Sequence, residues 1–156
     1  MKQQILAAAF ISATAFAATP ALAGDVAKGE SVFKKCASCH MVGEGAKNKV
    51  GPILTNVVGS QIASVEGYKY GKSIVALGET GATWTEEEIF EYLADPKKYL
   101  RAKLDDKKAK SKMSFKLKKE EERKDVIAYL ASLSSNAAAS EEGEAASEEE
   151  TSTTTN

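Results

Sequence analysis

Cys36-Ala37-Ser38-Cys39-His40 holds both cysteines and the single histidine of a 156-residue chain. C-x-x-C-H is the attachment pattern of c-type haem. Two thiols form thioethers with the vinyl groups of a porphyrin, and the imidazole next to them, on a short tether, becomes an iron ligand. The residue counts limit the chemistry further. Two cysteines leave none for a second haem, a disulfide framework or an iron–sulfur cluster, and one histidine excludes bis-histidine ligation within the chain. The competing readings are a redox dithiol and a metal site. A thioredoxin-like dithiol sits in a strand–helix context, and no run of β-branched residues leads into Cys36. A zinc site wants about four Cys or His ligands, and this pentapeptide contains all three that exist.

Upstream, residues 1–23 read as a secretory signal. Lys2 supplies the positive start, Ile5 to Ala18 an apolar stretch, and Ala21-Leu22-Ala23 a small-residue cleavage site that leaves Gly24 as the mature start. An uncleaved anchor is the alternative, disfavoured because the stretch is shorter than the ~20 residues a spanning helix needs. Export to the periplasm suits covalent haem attachment. Downstream, residues 135–156 are Ala, Ser, Glu, Thr, Gly and Asn, with no apolar side chain larger than alanine. Such a segment buries too little to offset its ordering entropy and reads as a disordered acidic tail. It either solvates the protein or shields a basic face.

Between the ends, residues 24–134 form one small domain with 20 Lys and Arg against 16 Asp and Glu. The near-neutral whole, formally −1, therefore hides a basic domain. Asp25 to Phe33 predicts a first helix, capped by Gly24 or Asp25, with Val26, Gly29, Val32 and Phe33 on one face. Glycine inside a helix costs about 1 kcal/mol against alanine, and close approach of another helix would explain it. Glu120 to Leu133, with Val126, Ile127, Leu130 and Leu133 in helical register beside Tyr129, is the natural partner. Thr85 caps a helix in which Glu88 completes a capping box, and Asp95-Pro96 ends it. Tyr70 to Leu77 is a short further helix. No alternating strand pattern and no internal repeat occurs, so the fold class is all-α with long loops.

Three methionines could supply a second iron ligand. Met1 leaves with the signal, and Met41 is tied to the histidine side by its neighbour. Met113 lies far along the chain, where a loop could wrap over a ring. Its thioether would raise the potential and close the sixth site. The alternatives are Met113 as core filler, the usual role of methionine, and Lys112 as the ligand.

The domain resembles class I cytochromes c, specifically the larger photosynthetic and respiratory branch of the bacterial cytochrome c2 type. The resemblance runs from Gly24 to about Ser134, through Gly24-Asp25-Val26, Cys36–His40, Gly51-Pro52, Gly67-Tyr68-Lys69-Tyr70, Trp84, Glu91 to Tyr99, Ser111 to Phe115 and Arg123 to Leu130. It implies N- and C-terminal helices that cross, with further helices and long loops around one covalent haem. It also implies that Pro52 orients His40, that Met113 is the second ligand with Tyr92 and Ser111 beside it, and that Tyr70 and Trp84 reach the propionates. Ordinary core packing is the other reading of the last two aromatics, although buried phenol and indole groups need hydrogen-bond partners in either case. Two departures stand out: Ser60 replaces a frequent arginine near a propionate, and the stretch Leu100 to Lys110 is long and rich in lysine and aspartate.

Lys34, Lys35, Lys97, Lys98, Lys112, Lys118 and Lys119 flank segments that must meet around one haem edge. Such a positive ring would steer an acidic partner, with strong salt dependence. The export signal and the absence of base-stacking motifs argue against nucleic acid. The resemblance implies a monomeric, non-enzymatic carrier between a cytochrome bc1 complex and a photosynthetic reaction centre or terminal oxidase. A ligand-binding sensor or peroxidase is the competing class; it would need an open sixth site and distal polar catalysts, and no second histidine exists for that role.

Overall fold

A computed structural model of the chain describes residues 23–147. The proposed signal, apart from Ala23, and residues 148–156 of the proposed tail lie outside them. The described residues form five helices: α1 (Val26–Phe33), α2 (Lys72–Glu79), α3 (Glu86–Ala94), α4 (Pro96–Lys103) and α5 (Glu120–Ser147). Among them no strand occurs, only an isolated antiparallel bridge between Gln61 and Thr83. The all-α expectation therefore stands. No described helix is long and apolar enough to cross a membrane.

Packing begins where α1 meets α5. Asp25 caps α1, its carboxylate accepting from Lys28 N at 3.0 Å, and its own N–H donates to the Asp125 carboxylate at 2.9 Å. Gly29 is buried because α5 passes directly over it: a β-carbon there would lie 2.0 Å from the Asp125 carbonyl oxygen and 2.7 Å from Tyr129 Cβ. Phe33, Val126, Ile127 and Leu130 then join Ile89, Leu93 and Leu117 in the larger core cluster. Val26, placed on the same face by sequence, is 46% exposed, because the contact is centred one turn later. A second cluster gathers Ile62, Leu77, Tyr99, Leu100 and Ala109.

Three helix boundaries go beyond the sequence reading. The helix expected from Tyr70 starts at Lys72, since Gly71 is extended (ψ 153°) and serves as its N-cap. The stretch Leu100 to Lys110 begins with the end of α4. Asp95 closes α3 and immediately caps α4, accepting from Lys98 N at 3.0 Å, with Pro96 in the first turn where its missing N–H costs nothing. Beyond residue 134, α5 continues as helical backbone to Ser147. Alanine and glutamate have high helix propensity and need no apolar stripe to extend an existing helix.

Asp95 also accepts from Lys116 Nζ at 2.6 Å. That bond, together with the Lys98 N–H, holds its carboxyl below the ordinary aspartate value of 3.8. A depressed folded-state pKa contributes stability above the unfolded value and loses it as pH falls through the folded one. Asp95→Asn keeps a capping side chain but not the charge pair. Its melting temperature should fall below the parent's at neutral pH, and the two should converge as pH falls from 3.8 through the lowered folded-state value. A constant difference from pH 7 to pH 2 would disprove the linkage.

Candidate functional site

The chain from Phe33 to His40 coils tightly: Cys36 N donates to the Phe33 carbonyl at 2.7 Å, and His40 N to the Cys36 carbonyl at 2.9 Å. This turn brings Cys36, Cys39 and His40 onto one cavity of about 310 Å3, a size within the ~300–1,000 Å3 of small-molecule sites. Neither cysteine is in a disulfide, and burial pushes the Cys36 thiol up.

His40 is fixed from behind. Its Nδ1 lies 2.7 Å from the Pro52 carbonyl oxygen. A carbonyl can only accept, so Nδ1 carries the proton and Nε2 keeps a lone pair for a metal. Burial lowers the imidazole pKa, against the opposing pull of the Pro52 bond. Gly51 makes this approach possible, since a β-carbon there would lie 2.2 Å from His40 Cε1.

Met113 lines the same cavity, whereas Met41 is 37% exposed and does not. Pro52, Tyr70, Trp84, Tyr92 and Ser111 also line it. Tyr92 Oη lies 3.4 Å from Ser111 Oγ, two residues before Met113, and burial raises the Tyr92 pKa. Tyr70 Oη accepts from Val65 N at 3.3 Å, which leaves its own proton to donate. Tyr68 donates to the Val50 carbonyl at 2.7 Å. Ser60 lines the cavity with its hydroxyl turned back onto the Val57 carbonyl at 2.7 Å.

Two cysteine sulfurs and an imidazole on one segment, a thioether on another, and walls of Leu, Ile, Val and aromatic side chains suit a flat, mostly apolar, iron-bearing macrocycle. Val50 and Phe115, 77% and 40% exposed, stand at the opening.

The lysines divide. Lys35 and Lys112 line the cavity; Lys34, Lys97, Lys98, Lys118 and Lys119 are exposed but do not. Lys110, absent from the sequence-based ring, lines it too, and its only signal was a position three residues before Met113. Several cations already have partners. Glu122 accepts from Lys35 at 2.7 Å and lies 3.3 Å from Lys119, while Lys112 donates to the Lys69 carbonyl and lies 5.8 Å from the Tyr68 ring centre.

Residues 26–134 match the family model described as Cytochrome c. Over 134 residues the chain is 47% identical to cytochrome c2 of Rhodospirillum rubrum, covering 85% of this chain and 99% of that one. It is 50% identical to cytochrome c2 of Rhodobacter capsulatus, over 82% and 96%. Among solved structures, cytochrome c2 from Rhodospirillum centenum superposes with a TM-score of 0.69 at 50% identity, over 71% of this chain and 99% of that one. Cytochrome c2 from Paracoccus denitrificans gives 0.68 at 46%, over 73% and 99%.

Proposed function

The chain belongs to the cytochrome c family, and on that premise we propose that it is a periplasmic one-electron carrier, with haem c bound through Cys36 and Cys39 and ligated by His40 and Met113. The observation that carries the reading is the convergence of these four side chains on one cavity. Haem c supplies a ferrous–ferric couple. The protein supplies the rest. Pro52 keeps the His40 tautomer and ring angle, and Met113 offers a soft thioether that favours the reduced metal and leaves no site for an exogenous ligand. Tyr70 and Trp84 furnish donors for propionates, and the apolar walls exclude water.

Partners bind without a substrate pocket. Lysines on the exposed surface steer acidic docking faces of membrane complexes: a cytochrome bc1 complex as donor, and a photosynthetic reaction centre or terminal oxidase as acceptor. Replacing Lys97, Lys98 and Lys112 together by glutamine should slow electron transfer to such a partner, most strongly at low ionic strength, because screening weakens long-range attraction. An unchanged rate across salt concentrations would remove the steering role.

Absorption spectra of the exported protein, oxidised and reduced, with and without carbon monoxide, test the assignment. A low-spin c-type spectrum with a ferric methionine–iron band and no carbon monoxide response is expected. A high-spin spectrum, or one that carbon monoxide shifts, would overturn it in favour of a ligand-binding or peroxidatic haem protein.

A further inference from the structure

We propose that Glu88 is a positioning residue for the haem cavity: through Tyr99, its carboxylate holds the aromatic wall that steadies the Met113 segment. This inference rests on the reading of Met113 as a ligand.

Glu88 is free for the role because only its backbone serves the α3 cap. Its N–H donates to Thr85 Oγ1 at 3.2 Å, while the carboxylate points instead to α4. There one oxygen accepts from the Tyr99 hydroxyl, and the other lies 2.6 Å from Lys103 Nζ. The capping box expected from Thr85 and Glu88 is thus only half formed. Lys103 also lies 5.4 Å from the Tyr99 ring centre and 3.5 Å from Glu91 Oε2. Burial alone would raise the Glu88 pKa, but the Lys103 and Tyr99 bonds outweigh it and keep the carboxyl ionised, an acceptor only.

Tyr99 is 5% exposed, so without Glu88 its hydroxyl would be a buried donor lacking this acceptor. Its ring stacks on Trp84 (6.1 Å, 25°) and meets Tyr92 edge-on (5.4 Å, 88°), and Trp84 and Tyr92 touch each other (5.0 Å, 63°). Three mutually contacting rings cannot turn singly. Trp84 and Tyr92 line the cavity, but Glu88 and Tyr99 do not. Tyr92 then reaches Ser111, two residues before Met113. The effect of Glu88 on the metal side is therefore indirect: it sets where the phenol of Tyr99 sits, and the ring trio passes that position to the methionine segment.

Imidazole titration of the ferric holoprotein, followed on the methionine–iron band, reads how firmly Met113 is held. Glu88→Leu should raise the apparent affinity for imidazole about tenfold, the size expected when a buried hydroxyl loses its partner. Glu88→Gln, whose amide oxygen still accepts from the phenol, should restore near-parental affinity. Lys103→Met, which removes the pairs with Glu88 and Glu91 and the cation over the Tyr99 ring but leaves the Glu88–Tyr99 hydrogen bond, should do little. Tyr99→Phe should move affinity in the same direction as Glu88→Leu, and the double variant should add nothing beyond the larger single effect. Unchanged affinity in Glu88→Leu with a lowered melting temperature would reduce Glu88 to a purely structural contact and overturn the proposal. So would a Glu88→Gln protein as perturbed as Glu88→Leu. If Glu88→Leu does not fold, unchanged affinity in Tyr99→Phe is the overturning result. A parent protein lacking the band altogether would instead refute Met113 as ligand, and this inference with it.

Discussion

Met113→Ala should leave haem covalently attached while lowering its potential by on the order of 0.1–0.2 V, part of the about 0.8 V that axial ligands span. The tether and the histidine sit on residues 36–40, supported by Pro52, and none of these is touched by the substitution. Only the thioether is lost. Without a soft sixth ligand the ferrous state loses its preferential stabilisation, so the potential falls. The vacated position should bind carbon monoxide in the reduced protein, and the methionine–iron band should vanish from the oxidised one. Redox titration together with a carbon monoxide difference spectrum checks all three. An unchanged potential would mean that another group is the ligand, and Lys112 would be the first to examine. Loss of folding is not expected, because Met113 is only half-buried and packs at the edge of the main cluster.

Gly29→Ala should have the largest effect on stability of any single-methyl addition in α1. Intrinsic helix propensity favours alanine here by about 1 kcal/mol. Packing opposes it and wins. The added carbon would sit 2.0 Å from the Asp125 carbonyl oxygen and 2.7 Å from that carbonyl carbon. Backbone cannot step aside as a side-chain tip can, so α1 and α5 must separate. Their separation would loosen the contact of Phe33 with Val126, Ile127 and Leu130. Overpacking of this kind costs about 1–3 kcal/mol and occasionally more, and a backbone collision belongs at the upper end. At roughly 4–8 °C per kcal/mol for a domain of this size, thermal unfolding should come about 10 °C earlier. Calorimetry of the holoprotein would test this. An unchanged or raised melting temperature would show that the helices can part at no cost.

Legibility from sequence followed distance along the chain. The covalent site was legible because its three groups occupy five consecutive residues, where chain geometry alone keeps them together. The caps at Asp25 and Thr85 were legible for the same reason: each bond closes over three residues. Gly29 was read correctly because a helix tolerates an interior glycine poorly unless something presses on it. Asp95-Pro96 ends α3 as the sequence predicts. What the sequence reading lacked is that the same aspartate caps the next helix, and that proline suits that helix's first turn.

What the sequence by itself determined, then, is the all-α pattern, the haem tether, and the amphipathic register of α1, α3 and the first part of α5. These depend on hydrogen bonds and side-chain periodicity within a few residues. Tertiary structure alone decided which lysines reach the cavity, that Tyr68 turns to Val50, and that the Glu88 carboxylate leaves its cap for Tyr99 and Lys103. A lysine or glutamate has many rotamers of similar energy, and the one adopted is selected by whichever partner the folded chain places within reach, 11 to 87 residues away in these cases.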